Sequence, residues 1–409
     1  MWLYNIAVAL YAFIIKIASI WIPKARLWCE GRQNIFQRMA QLIAPEDRIL
    51  WIHVASLGEF EQGRPLIEKF KAERPEYKIL LTFYSPSGYE LRKDYKGADY
   101  IFYLPVDTPR NVRKFLDVAH PEIAIFVKYE FWLNMLFSLS KRGVKTYIVS
   151  AIFRQDSIFF RSYGSLWRKA LRCFEVIFVQ NEESKSRLKE IGIENSVVAG
   201  DTRFDRVAEI AKNAKHNELV ERFQGSSNLF VAGSTWPMDE ELLLRLVAEN
   251  SDIKFVIAPH EIEKTRIDEL AAKLPGALVY TQAEKVENIE ECQTLILDTM
   301  GQLSSIYRYA SWAYIGGGFG VGIHNTLEAS TFGLPIAFGP NYHKFKEARD
   351  MISIGACRSV SEYGELKEWF LQLKSKEAEY EKVSSLAKKY TQNHQGATAI
   401  ILKNLTNKK

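Results

Sequence analysis

The sequence predicts an α/β protein of two successive doubly wound, Rossmann-like domains with a cleft between them, preceded by an apolar N-terminal helix. Three observations carry this: a length of 409 residues at 47% hydrophobic content, β-branched runs that alternate with amphipathic stretches and then restart, and a nearly uncharged opening segment. The length is about twice that of a common single domain and can fill two cores.

Residues Trp2–Ile22 carry one charge, Lys16, and are followed by Pro23, Lys24, Arg26, Arg32 and Arg38. A run near 20 residues with basic residues trailing it reads as a membrane anchor that keeps the rest of the chain on the cytoplasmic side. A first helix packed on the body or lying in the membrane interface is the other reading. Ile49–Val54, Ile79–Phe83, Tyr100–Leu104, Ile123–Val127, Thr146–Val149, Val176–Val179 and Val197–Ala199 read as strands. Helical stretches such as Gln62–Glu73, Thr108–Ala119, Phe131–Arg142 and Ser184–Ile191 lie between them, a pattern that builds a parallel sheet covered on both faces. Residues 23–205 are the first domain and 206–409 the second. In the second, Leu229–Ala232, Phe255–Ala258, Ala277–Tyr280, Thr294–Leu297, Trp312–Ile315 and Pro335–Phe338 are its strands. The last helical run, Lys376–Asn404, is long enough to return to the first domain.

Composition narrows the chemistry. Lys and Arg outnumber Asp and Glu by 31 to 24 over residues 1–210, against 23 to 25 over the remainder. The excess gathers at Lys141, Arg142, Lys145, Arg154, Arg161, Arg168, Lys169 and Arg172, interleaved with Phe159, Phe160, Tyr163 and Trp167. Such a segment suits an anionic partner with apolar parts, or is a solvated helix face. The cysteines, Cys29, Cys173, Cys292 and Cys357, lack paired spacing, and the histidines lack ligand spacing, so neither a disulfide framework nor a metal site is expected.

Open parallel sheets bind ligands beyond the carboxyl ends of their strands. Glu59 follows the first strand in Ala55-Ser56-Leu57-Gly58-Glu59, where it is either a general base or a helix-end charge. Glu130 follows Ile123–Val127 at the same rim, as a second carboxylate or an ion-pair partner of Lys128. In the second domain, Trp312–Ile315 runs into a glycine-rich loop, Gly316–Glu328, whose backbone N–H groups suit a phosphate. No Gly-x-Gly-x-x-Gly passes through that loop, which argues against a dinucleotide enzyme, and the chain contains no Asp-x-Asp metal clamp.

Taken in order, Ser56-Leu57-Gly58-Glu59, Glu130-Phe131-Trp132-Leu133-Asn134, Gly200 to Asp205, Gly233-Ser234-Thr235, Ala258-Pro259-His260, Asp298 to Leu303, His324 to Glu328 and Phe338 to Asn341 resemble the 3-deoxy-D-manno-octulosonic acid (Kdo) transferases of lipid A assembly. The resemblance spans nearly the whole chain. It implies a GT-B glycosyltransferase that moves Kdo from cytidine monophosphate (CMP)-Kdo to a lipid IVA-type acceptor in lipopolysaccharide synthesis, with inversion, no metal and no cofactor. Glu59 resembles the family's catalytic base and Glu130 a second residue needed at the acceptor side. Pro259, His260, Met300, Gly301, Gln302, Asn325, Thr326, Leu327 and Glu328 match its CMP-contacting segments. The implied location is the cytoplasmic face of the inner membrane. The chain departs from the pattern at His260-Glu261-Ile262-Glu263-Lys264, where many members have Arg-His-Pro-Glu-Arg, at Trp236, where a His often stands, and at Thr326, which replaces a Pro. Two rival readings stay open: a GT-B enzyme using a uridine-diphosphate sugar, and a non-catalytic two-lobed binder of sugar phosphates.

Overall fold

The computed structural model describes residues 1–406 and divides into two units, Met1–Arg206 with the stretch from Gln395, and Val207–His394. The first unit holds strands β1 (Arg48–Val54), β2 (Tyr77–Phe83), β3 (Tyr100–Tyr103), β4 (Ile123–Val127), β5 (Lys145–Ala151), β6 (Val176–Val179) and β7 (Ser196–Val198). They form one sheet in the order β3-β2-β1-β4-β5-β6-β7, and every pairing is parallel. The order reverses between β1 and β4, so a crevice opens at the carboxyl ends of those two strands. Alternate residues of β1 enter different cores: Ile49 and Trp51 pack with Phe115 and Phe126, while Leu50, Ile52 and Val54 pack with Phe60, Phe70 and Phe83. Burial on both faces is why these strands are almost uninterrupted apolar runs.

The C-terminal helix Ala397–Thr406 belongs to this unit: Ile401, Leu402 and Leu405 are buried in the second of these cores. Asp205 fixes it, with Oδ1 accepting from Gly396 N at 2.6 Å and Oδ2 from Thr398 N and Oγ1, each at 2.6 Å. The helix Glu377–Asn393 precedes the switch of units, so the expected run Lys376–Asn404 is broken at Gly396, whose φ is 108°. A positive φ of that size suits glycine and ends a helix.

The second unit holds β8 (Leu229–Thr235), β9 (Lys254–Pro259), β10 (Leu278–Val279), β11 (Thr294–Ile296), β12 (Trp312–Ile315), β13 (Ile336–Phe338) and β14 (Cys357–Ser359). Their order is β10-β11-β9-β8-β12-β13-β14, again parallel throughout, with the reversal between β8 and β12. Strand β14 was not expected from the sequence. Three residues with an exposed Arg358 at a sheet edge leave no periodicity to read.

The opening run is not one long helix. It forms a 17-residue helix, Trp2–Ala18, about 25 Å long at 1.5 Å per residue, then a turn and a second helix, Pro23–Glu30. Arg26 holds the turn by donating to the carbonyls of Ser19 and Ile20, and Pro23 starts the second helix. No helix among the described residues is long and apolar enough to cross a membrane. One face of the first helix is tied to the unit: Tyr4 Oη donates to Asp107 Oδ2 at 2.6 Å, and Asn5 Oδ1 accepts from Asn134 Nδ2 at 2.8 Å. The other face leaves Trp2, Leu3, Leu10, Phe13 and Ile14 exposed.

Candidate active site

Ser56 caps the helix Leu57–Glu73, which places Glu59 at its third position, beyond the carboxyl end of β1. The Ser56 hydroxyl bonds the Glu59 carboxylate, fixing the side chain at the helix start. The sequence reading began this helix five residues late, at Gln62, because Gly58 in its first turn is a poor helix former. Gly63 lets the helix pack closely on the sheet, since an added Cβ would lie 3.3 Å from Val127 and 3.5 Å from Val54 and the Val127 side chain would have to give slightly.

Glu130 follows β4, which neighbours β1, so both carboxylates stand at the switch point of one sheet. Lys128, two residues before it, has φ 65°, a left-handed value that costs a non-glycine residue about 1–3 kcal/mol and gathers at functional sites. Ser150 near the end of β5 has φ 54°. The Glu130 side chain is 13% exposed; its Oε2 lies 3.1 Å from His53 Nε2 and accepts from Trp132 Nε1 at 2.7 Å. Its partners are therefore an imidazole and an indole from within the unit. Beside it opens a mainly apolar cavity of about 530 Å³, walled by Tyr4, Val8 and Tyr11 of the first helix and by Tyr84, Trp132, Phe159 and Trp167.

Much of the resemblance between Gly200 and Asp205 is explained by packing. Asp201 Oδ1 accepts from Gln62 Nε2 at 3.1 Å, and Thr202 Oγ1 donates to Gln62 O at 2.7 Å, while Asp205 ties down the C-terminal helix. The basic segment is partly committed as well: Arg168 donates to the carbonyls of Phe159 and Arg161, and Arg142 pairs with Asp117.

In the second unit the matched segments follow β8, β9, β11 and β12, parallel strands whose carboxyl ends share one edge. Pro259 ends β9 and is buried; His260 is exposed, stacked against Trp236 at 4.9 Å and against His324 at 4.4 Å. Trp236 Nε1 donates to His324 Nε2 at 3.2 Å. Burial, then the nearby His260, lowers the His324 pKa to about 4, so this ring is neutral at neutral pH and able to accept. Trp236, the departure from the family pattern, is thus one side of a three-ring cluster.

The glycine loop is a packed device more than a bare cradle. The N–H groups of Gly316, Gly317, Gly320, Gly322 and His324 bond Gly233 O, Asp239 Oδ2, Gly317 O, Gly317 O and Gly316 O. A Cβ on Gly318 would lie 2.6 Å from backbone atoms of Gly339, which explains that glycine by close approach. Buried Asp239 also accepts from Trp236 N and Tyr314 Oη, and burial raises its carboxyl pKa despite these bonds. The phosphate seat expected of the loop therefore excludes those five donors.

Glu328 is held at both oxygens, by Ser304 Oγ and by Asn325 Nδ2 at 2.9 Å. Asn325 Oδ1 accepts from Leu327 N at 3.1 Å, and the Leu327 side chain is buried. Thr326 Oγ1 is buried without a partner. Gln302 accepts from Asn217 at 3.4 Å, Gly301 takes φ 82°, and Met300 is 76% exposed, turned away from the packed rim. His53, Thr82, Asp239 and Ser304 were missed. Two of them carried a signal, a polar residue inside an apolar strand, because such a group must find a partner when buried.

Residues 32–206 match the domain family described as 3-deoxy-D-manno-octulosonic-acid transferase (kdotransferase). The chain is 29% identical to the 3-deoxy-D-manno-octulosonic acid transferase of Aquifex aeolicus over 74% of this chain and 79% of that one. It is 28% identical to the Bordetella pertussis enzyme of the same name over 88% and 87%. A crystal structure of UDP-N-acetylglucosamine 2-epimerase covers 88% of this chain and 96% of its own with a TM-score of 0.60. At 14% identity that likeness shows the fold alone, a GT-B-like pair of parallel sheets. The chain thus carries, over residues 32–206, a match to the 3-deoxy-D-manno-octulosonic-acid transferase domain, and over most of its length it is similar to glycosyltransferases of that name.

Proposed function

We propose that this protein transfers Kdo from CMP-Kdo to a lipid A precursor of the lipid IVA type, with inversion, without metal or cofactor, at the cytoplasmic face of the inner membrane. The observation that carries the reading is the pair Glu59 and Glu130 at one switch point, with an apolar cavity walled by the N-terminal helix beside Glu130. A binder of anions gains nothing from two carboxylates there, whereas glycosyl transfer to a hydroxyl needs a base. Glu59 takes the proton of the acceptor hydroxyl as its oxygen bonds to the anomeric carbon. The bond from that carbon to the phosphate oxygen breaks, and CMP leaves with the electron pair. A single displacement of this kind inverts the centre.

The second unit holds the donor in this reading. His260, Gln302, Asn325 and Glu328 lie along one sheet edge, with the stack of Trp236, His260 and His324 offering a flat surface to the base. The cavity beside Glu130 suits the acyl part of the acceptor, and the exposed apolar face of Trp2–Ala18 suits the membrane interface. Incubation with CMP-Kdo and a tetraacylated disaccharide bisphosphate should yield a product heavier by whole Kdo units. Release of a different nucleotide from a different donor would overturn the reading.

A further inference from the structure

His53 lies inside β1, fully buried, opposite Thr82 of β2 and Phe126 of β4 in the strand register. Its Nδ1 is 2.9 Å from Thr82 Oγ1 and 3.1 Å from Thr82 O, and its Nε2 is 3.1 Å from Glu130 Oε2. Two indoles close the ends of this chain of groups: Trp51 Nε1 donates to Thr82 Oγ1 at 2.8 Å, and Trp132 Nε1 donates to Glu130 Oε2 at 2.7 Å.

Donor counting assigns the protons. A neutral imidazole has one N–H and one lone pair. With the proton on Nδ1, the Nε2 lone pair would face the Glu130 carboxylate, acceptor against acceptor, and the one donor in its reach, Trp132 Nε1–H at 3.2 Å, lies closer to Glu130 Oε2 at 2.7 Å. With the proton on Nε2, every donor has an acceptor: Trp51 N–H to the Thr82 oxygen, Thr82 O–H to Nδ1, Nε2–H to Glu130, and Trp132 N–H to Glu130. Thr82 has its proton available for Nδ1 because its oxygen already accepts from Trp51. The rings packed on the pair, Phe126 against His53 and Tyr84 against Trp132, supply no competing charge. Tyr129, next to Glu130 in the chain, sits in the field of Arg154, Asp201, Arg203 and Glu59.

We propose that His53 is a positioning residue, held in the Nε2–H form by the Thr82 hydroxyl, that clamps Oε2 of Glu130 together with Trp132 and leaves Oε1 to receive a hydroxyl of the acceptor. The proposal deepens the transferase reading and rests on it for the identity of that acceptor. The hydrogen-bond chain itself does not depend on any substrate.

The test has two arms. Selective ¹⁵N-histidine labelling reads the tautomer without substrate, the His53 signals being those lost in His53→Gln. At pH 7 Nδ1 should show the shift of an unprotonated nitrogen and Nε2 that of an N–H. In Thr82→Val, close to isosteric, the proton should move to Nδ1, and in Thr82→Ser it should return to Nε2. In the second arm, kcat with CMP-Kdo and the bisphosphorylated lipid should fall about 10–100-fold in Thr82→Val, the usual loss when a group that orients a reacting residue is removed. KM for the donor should stay near wild type, and Thr82→Ser should recover kcat. A protonated Nδ1 in the wild type, or wild-type kcat in Thr82→Val, overturns the proposal. A wild type that turns over neither substrate overturns the transferase reading instead, and the nitrogen shifts still decide the relay.

Discussion

Replacing Asp205 with Ala should loosen the C-terminal helix and leave the rest of its unit folded. The Asp205 carboxylate accepts two backbone N–H groups and one hydroxyl at the start of Ala397–Thr406, each at 2.6 Å. Loss of a capping residue costs about 0.5–2 kcal/mol, and a hydrogen bond to a charged group about 1.5–3 kcal/mol. The three share one carboxylate and are not additive, so we expect a local cost of about 2–4 kcal/mol. Against this stand Ile401, Leu402 and Leu405, whose burial contributes roughly 1.5–3 kcal/mol each. The helix should therefore stay docked but open more often, with amides of 397–406 exchanging about 30- to 1000-fold faster. Hydrogen exchange read by mass spectrometry is the suitable assay, since a chain of two units need not melt in one step. Asp205→Asn, which keeps one acceptor oxygen, should fall between. Exchange in 397–406 that stays within twofold of wild type would refute the reasoning.

Three further outcomes follow from the geometry. His324, neutral with its pKa lowered to about 4 from 6.5, contributes stability that is complete above pH 6.5 and is lost as pH falls toward 4, because the unfolded chain binds the proton first. His324→Gln should flatten the acid limb of stability in that window, and an unchanged limb would contradict the assignment. Glu328→Ala leaves Ser304 and Asn325 without their shared acceptor and should weaken CMP binding by about 1–3 kcal/mol by calorimetry, whereas unchanged affinity would remove Glu328 from the donor site. Replacing Trp2, Leu3, Phe13 and Ile14 with Ser changes only the exposed face of the first helix, since Tyr4 and Asn5 hold the other, so flotation with anionic vesicles should drop while stability shifts by less than about 0.5 kcal/mol per site. Undiminished flotation would show that this face does not mediate the association.

The alternation of buried strands and amphipathic helices was legible because parallel strands covered on both faces must be apolar throughout, as Ile49–Val54 and Ile123–Val127 are. Strand β14 was not, since Cys357-Arg358-Ser359 pairs only along one edge and carries a charge. The positions of Glu59 and Glu130 beyond their strands were legible as well, but their partners were not. His53 and Thr82 read as interruptions of apolar runs, and nothing in sequence spacing joins residue 53 to residue 130, 77 positions on. The glycine loop misled for a related reason: glycines that let two loops touch, as Gly318 meets Gly339, look the same in sequence as glycines that expose N–H groups. The apolar run at the N-terminus hid the turn after Ala18, which rests on Arg26 reaching back to Ser19 and Ile20.

The central claim is that Glu59 is the base of Kdo transfer, and Glu59→Gln tests it most directly. Gln preserves the side chain's size and keeps an acceptor for the Ser56 hydroxyl, so folding and CMP-Kdo binding should be nearly normal. Transfer to the bisphosphorylated lipid, followed by mass, should fall by about 10²–10⁴-fold, the usual contribution of a positioned acid or base. If Glu59 were only a charge in the first turn of its helix, the variant would lose at most about 1 kcal/mol of stability and keep its turnover, and that result would contradict the account.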